Sequence, residues 1–254
     1  MKWKILGLVL VFLVGAIIYS LQPNTYPEFV ISDNFEVDKK SNVIIFGATR
    51  NTGLEVAKII LNSGGKVTAV VRPTSNTEDI QSIGANIITG DALDKASVEN
   101  AFSQSNYSAV VTTIGCYRCD PKPDYLGNKN IFDVAQNAGV KRVILVSTIG
   151  AGDSYDTIPS LVKRTLKDVL PLKTKAENYL RDSLLDFTII RPGGLRSEPA
   201  TMNGYLSKSN KAFGVINRED LAILIVKTLD DDNTIGHTLS AIDSELVFPW
   251  AYIF

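Results

Sequence analysis

The segment Val43-Ile44-Ile45-Phe46-Gly47-Ala48-Thr49-Arg50-Asn51-Thr52-Gly53 decides the fold. Its four leading apolar residues read as a strand buried on both faces. Gly47 ends that run, and a helix-compatible stretch follows from Thr52 to Asn62. Strand, glycine-bearing turn and helix in this order form the usual cradle for a pyrophosphate. Glycine is needed where the chain turns sharply and where the helix packs on the strand, while the helix start offers free N–H groups and a positive dipole end. Gly47 and Gly53 occupy the outer glycine positions. Asn51 stands where a middle glycine is often found, and Asn tolerates positive φ better than most residues.

Outward from this turn the chain alternates strand and helix patterns. Short, β-branched runs occur at Val67–Val71 (after the turn Ser63-Gly64-Gly65), Asn86–Thr89, Ala109–Thr113, Arg142–Val146 and Phe187–Ile190. Between them lie helical spacings such as Ile131, Val134, Ala135 and Ala138. Near-continuous apolar strands joined by helices predict a parallel sheet covered on both faces. The fold class is therefore α/β, a doubly wound parallel sheet of the Rossmann type, with right-handed crossovers and its ligand at the carboxyl ends of the strands.

The 254 residues include 45% apolar and 21% charged side chains, enough apolar material for a sizeable core. Lys plus Arg (26) nearly balance Asp plus Glu (27), which argues against a nucleic-acid partner. Two Cys and one His support neither a disulfide framework nor a metal centre. Residues 5–21 form an uncharged apolar run after Lys2 and Lys4, with Trp3 and Tyr19 at its ends. The run is long enough to span a bilayer, and its aromatic residues suit the headgroup level. It lacks a clean small-x-small cleavage site. The expected organisation is a transmembrane anchor (or signal) at 1–22, a linker at 23–39 and a nucleotide-binding domain at 40–254. It implies a single-pass membrane location, a lipid membrane partner and a place in a membrane complex. The lysines before the run and Glu28, Asp33 and Glu36 after it put the domain outside by charge. A dinucleotide ligand instead favours a cytosolic or stromal side.

Four motifs recur in order: Phe46–Gly53, Gly90-Asp91-Ala92, Val146–Gly152 and Thr188–Gly194. Together they resemble the atypical branch of the short-chain dehydrogenase/reductase superfamily, with its NmrA-like and flavin reductase (biliverdin reductase B)-like proteins. The resemblance implies that Gly47, Thr49, Arg50, Asn51, Thr52 and Gly53 hold the dinucleotide. It assigns Asp91 and Ala92 to the adenine, Thr113, Ile114 and Gly115 to the path toward the nicotinamide, and Pro192 and Gly193 to its carboxamide side. The superfamily's Tyr-x-x-x-Lys pattern is incomplete. Lys173-Thr174-Lys175-Ala176-Glu177 resembles the Lys-x-x-Ala-Glu of related members, which makes Lys173 the active-site lysine and places Val169 at the tyrosine position. Taking Lys175 as the lysine instead would place Pro171 there, and neither residue can donate a proton. Ser147 and Thr148 remain as hydroxyls beside the nicotinamide.

The implied function is an NAD(P)H-dependent oxidoreductase passing a hydride to a small electrophile such as a quinone, flavin or enone. The alternative is a non-catalytic NADP-binding sensor, or an assembly or structural subunit of a membrane complex. NADP(H) is expected ahead of NAD(H). The second strand ends Val70-Val71-Arg72-Pro73 without a carboxylate for the ribose 2′-hydroxyl, and Arg50 adds a second guanidinium for a 2′-phosphate. Cys116-Tyr117-Arg118-Cys119 reads as a redox pair or as two loop cysteines. Residues 199–214, with Met202, Tyr205 and Phe213, read as a lid. Tyr155 and Arg196 are further candidates to touch substrate, and His237 reads as structural.

Overall fold

The computed structural model describes residues 25–32 and 41–246. Strands and helices alternate through β1 (Asn42–Phe46), α1 (Asn51–Asn62), β2 (Lys66–Val71), α2 (Glu78–Ser82), β3 (Asn86–Thr89), α3 (Lys95–Ser103), β4 (Ala109–Thr112), α4 (Leu126–Asn137) and β5 (Arg142–Val146). Then follow α5 (Ser160–Thr165), α6 (Leu170–Arg181), β6 (Asp186–Pro192), β7 (Gly194–Arg196), β8 (Gly204–Ser207), β9 (Val215–Asn217), α7 (Arg218–Leu229) and β10 (His237–Asp243). The main sheet has the order β3-β2-β1-β4-β5-β6-β10-β8. It is parallel except where β8 runs against β10. The chain winds outward in both directions from the β1–β4 boundary, the place where such sheets bind ligands.

Alternation along each strand divides the core. Val43 and Ile45 of β1 point into one layer with Val56, Ala57 and Ile60 of α1 and Leu221, Ala222 and Ile225 of α7. Ile44 and Phe46 point into the opposite layer with Val98 and Phe102 of α3, Ile131 and Phe132 of α4 and Leu180 of α6. Burial on both faces is why these strands read as continuous apolar runs rather than alternating ones. The six strands expected from sequence all occur.

Three expectations change. Residues 204–207, inside the expected lid, form β8, with Leu206 in the core and the Tyr205 ring packed near Ile149, Phe213 and Ile242. Part of the expected linker is packed rather than free. The Phe29 N–H donates to the Leu206 carbonyl at 2.7 Å, the Ser207 hydroxyl donates to the Pro27 carbonyl at 2.6 Å, and the Phe29 ring meets His237 edge-on. The single-pass membrane location is corrected as well. Among the described residues no helix is long and apolar enough to cross a membrane. The α1, α4, α6 and α7 helices each run 12 residues, about 18 Å at the α-helical rise, against roughly 30 Å of hydrocarbon. The run at 5–21 that prompted the expectation lies outside the described residues.

Candidate functional site

A cleft of about 420 Å³ opens at the carboxyl ends of β1, β2, β4, β5 and β6. It is lined by Gly47, Thr49, Arg50, Asn51, Thr52 and Gly53, by Arg72, by Asp91 and Ala92, and by Thr113, Ile114 and Gly115. Ser147, Thr148, Lys173, Pro192 and Gly193 line it too. The topology thus brings the residues expected to hold the dinucleotide, together with Lys173, Ser147 and Thr148, to one concavity. Tyr155 and Arg196 are not among the residues of its wall, nor are Met202, Tyr205 and Phe213.

The turn after β1 is built by close approach. Gly47 has φ +94°, and a Cβ there would lie 2.5 Å from the Thr113 hydroxyl oxygen. A Cβ on Gly53 would run into the Gly47 carbonyl oxygen and lie 2.9 Å from its carbon. Asn51 takes φ 54°, the left-handed conformation its side chain tolerates. The Thr113 hydroxyl donates to the Gly47 carbonyl at 3.1 Å, which fastens the end of β4 to the turn. Arg50 is the N-cap residue of α1 and supplies no side-chain cap, and the first turn carries no acidic residue. The first N–H groups of the helix have no intrahelical acceptor by geometry, so they suit an anion. The Thr52 hydroxyl is buried without a hydrogen-bond partner. Close-packed glycines, an uncapped helix start and an orphaned hydroxyl fit a dinucleotide phosphate.

At the far side of β2, Arg72 and Arg50 are both exposed on the cleft wall, with Ser75 nearby in the turn that its N–H closes onto the Arg72 carbonyl at 2.9 Å. Asp91 Oδ1 accepts the Leu93 N–H at 2.9 Å and Asn130 Nδ2 donates to the Ala92 carbonyl at 2.9 Å, so this loop is preorganised by its own bonds.

Two buried carboxylates, neither singled out from sequence, organise the other end. Asp124 is fully buried, and its Oδ1 lies 3.5 Å from Lys173 Nζ. Its Oδ2 accepts the Cys116 N–H at 3.1 Å. Gly115 packs against this pair, since a Cβ there would lie 2.9 Å from Asp124 Oδ1 and 3.3 Å from Lys173 Nζ. Val169, one helical turn before Lys173, presents an apolar side chain to the same wall.

Glu177, one turn after Lys173 on α6, is also fully buried. It takes Arg191 in a two-pronged pair, Nε to Oε1 at 3.0 Å and Nη2 to Oε2 at 2.6 Å. It also accepts the Ser147 hydroxyl at 2.5 Å and Arg181 at 2.9 Å. Arg191 continues to Asp153 at 2.5 Å. Burial pushes the Asp153 carboxyl up, but the hydrogen bond and charge of Arg191 outweigh it and leave the group below its ordinary value. The Ser147 proton is therefore committed to Glu177, and toward the cleft this hydroxyl offers only lone pairs.

Cys116 and Cys119 are joined in a disulfide at the rim, with Cα atoms 5.4 Å apart. Tyr117, Leu166, Leu195 and Arg218 complete that end of the cleft. Arg218 Nη1 donates to the Ser197 hydroxyl at 2.7 Å, while its buried Nε has no hydrogen-bond partner. Asp124, Glu177 and Arg218 escaped the sequence reading because single charged residues in helices and loops read as solvent-facing until tertiary contacts bury them. The Lys-x-x-Ala-Glu match did carry one unused signal, the glutamate itself.

Residues 47–232 match the family model described as NAD(P)H-binding, and the chain belongs to that family, as the atypical short-chain dehydrogenase/reductase motifs implied. Among solved structures it is similar to ChuY, an anaerobillin reductase from Escherichia coli O157:H7. The TM-score is 0.74 at 28% identity, covering 81% of this chain and 98% of that one. Among curated proteins it is 29% identical over 198 residues to the uncharacterized sugar epimerase YhfK of Bacillus subtilis, covering 76% of this chain and 89% of the relative. It is also 32% identical over 205 residues to an uncharacterized chloroplastic protein of Arabidopsis thaliana, covering 75% of this chain and 72% of the relative.

The Glu177 network makes a measurable claim. Replacing Glu177 with Ala strands Arg191, which is 2% exposed, with Asp153 as its remaining carboxylate partner. Breaking a buried pair from one side costs about 3–5 kcal/mol. Urea unfolding of Glu177→Ala should show a loss in this range. A loss under about 1 kcal/mol, the scale of an exposed pair, would mean that the network does not tie α6 to β5 and β6.

Proposed function

We propose that the protein is an NADP(H)-preferring oxidoreductase that reduces a small planar or apolar electrophile, such as a quinone, flavin or enone. One observation carries the reading: a single cleft unites the glycine turn with its orphaned Thr52 hydroxyl, an ammonium at Lys173 and an apolar wall. Bound NAD(P)H supplies a hydride. The turn from Gly47 to Gly53 holds the pyrophosphate, and Arg72 with Arg50 and Ser75 receives the 2′-phosphate. Asp91 and Ala92 border the adenine. Thr113, Ile114, Gly115, Pro192 and Gly193 enclose the nicotinamide.

Lys173 Nζ, 3.5 Å from Asp124 Oδ1, offers protons at the substrate end, and Ser147 accepts rather than donates there. Thr148 donates to its neighbour's carbonyl at Ile149, 3.2 Å away, and serves as a weaker polar contact. Val169 brings no proton to the place where the superfamily keeps its tyrosine. It turns that wall apolar, together with Leu166 and Leu195, which favours an acceptor whose reduction draws its proton from Lys173 or water. The reductase name of ChuY supports the same class. Val169 also favours a second reading, a cofactor-binding sensor without turnover. Steady consumption of NADPH across a panel of quinones, flavins and enones supports the first reading. Tight binding with no turnover on any acceptor selects the second.

Two substitutions test the cofactor assignment. Thr52→Val removes a buried hydroxyl that has no hydrogen-bond partner within the protein, so stability should hold or rise. Affinity for NADPH should nonetheless fall about tenfold, or about 1.4 kcal/mol, by calorimetric titration. Unchanged affinity would show that this hydroxyl does not meet the phosphates. Arg72→Ala should weaken NADPH by about tenfold or more while leaving NADH as it was. Parallel loss of both cofactors would rule out a 2′-phosphate at Arg72.

A further inference from the structure

The Cys116–Cys119 disulfide has no part in the chemistry assigned above. Its residues follow directly on Gly115, where β4 delivers the chain into the cleft, and both cysteines line the wall. Both are partly exposed, and Tyr117 and Arg118 between them are exposed, so a reductant reaches the sulfurs without unfolding the domain. Closing so small a loop removes the least chain entropy a disulfide can, so global stability is a poor reason for the bond.

The loop is coupled to the site by hydrogen bonds. The Cys116 N–H donates to Asp124 Oδ2 at 3.1 Å, and the other oxygen of the same carboxylate faces Lys173 Nζ at 3.5 Å. On the outer side Lys122 Nζ donates to the Cys119 carbonyl at 3.2 Å. The covalent loop thus fixes one of the two polar contacts of the Asp124 carboxylate, and the other is to Lys173.

We propose that Cys116–Cys119 is a thiol–disulfide exchange site opened by a dithiol, and that its opening loosens Asp124 and Lys173 and weakens the nicotinamide end of the cleft. One thiolate of the dithiol attacks a sulfur of the pair. The S–S bond breaks, the other cysteine leaves as a thiolate, and a mixed disulfide forms. The second thiol of the reductant then displaces the bound cysteine. The protein ends as two thiols, and the reductant ends as its own disulfide. The proposal needs the cofactor binding of the family and does not depend on turnover.

The test uses the full chain with dithiothreitol as the reductant. N-ethylmaleimide labels are counted by intact mass, and NADPH affinity is measured by fluorescence titration before reduction, after reduction and after removal of the dithiothreitol and reoxidation with oxidised glutathione. Two labels should appear under native conditions and vanish on reoxidation. NADPH affinity should fall by about threefold or more in the reduced form and recover with the bond. The double variant Cys116→Ser, Cys119→Ser should bind at the weaker level with or without dithiothreitol. If that variant does not fold, the wild-type titration decides alone. Labels that appear only in denaturant, or equal affinities in the two redox states, would overturn the proposal.

Discussion

The carbonyl oxygen of Gly47 occupies the space where a side chain on residue 53 would begin. Much else follows from this contact. It brings the start of α1 onto the end of β1, and it leaves the first helical N–H groups aimed across the carboxyl edge of the sheet. It also lets Thr113 reach over from β4 to bond the same carbonyl. Strand, turn, helix and neighbouring strand thereby lock into one rigid corner. The cleft is the space that this corner leaves open at the point where the winding of the sheet reverses.

What the sequence discloses about this arrangement is uneven, for a physical reason. Strands buried on both faces must be apolar at every position, so Val43–Phe46 and Arg142–Val146 are legible as local runs. The turn is legible because its backbone geometry admits few residue types. Strand β8 is neither. Gly204-Tyr205-Leu206-Ser207 is short, lies at an edge and alternates weakly, and only pairing with β10 makes it a strand. The buried carboxylates are illegible for a related reason. Asp124 and Glu177 are worth burying only because Lys173, Arg191 and Ser147 arrive from distant parts of the chain.

These carboxylates divide the labour of α6. Lys173 and Glu177 are one helical turn apart, yet one lies on the cleft wall and the other lies beneath it. Glu177 spends its lone pairs on Arg191, Arg181 and Ser147, tying the helix to β5 and β6. Asp124 comes from the other side of the cleft and leaves Oδ1 without a hydrogen bond while facing the ammonium. The first carboxylate is saturated and makes a scaffold. The second keeps capacity for a further donor.

The short segment at residues 25–32 also has a bearing on how the protein behaves at high concentration. Strand β8 ends the sheet, and an end strand offers unpaired backbone groups to any neighbouring chain. Here the Phe29 N–H already occupies the Leu206 carbonyl, the Ser207 hydroxyl is spent on Pro27, and Lys208 Nζ sits 4.6 Å over the Phe29 ring. The segment acts as a selvedge along the sheet. A chain trimmed to start at Ser41 would keep the nucleotide turn and every residue of the cleft, but it would bare this margin to edge-to-edge association.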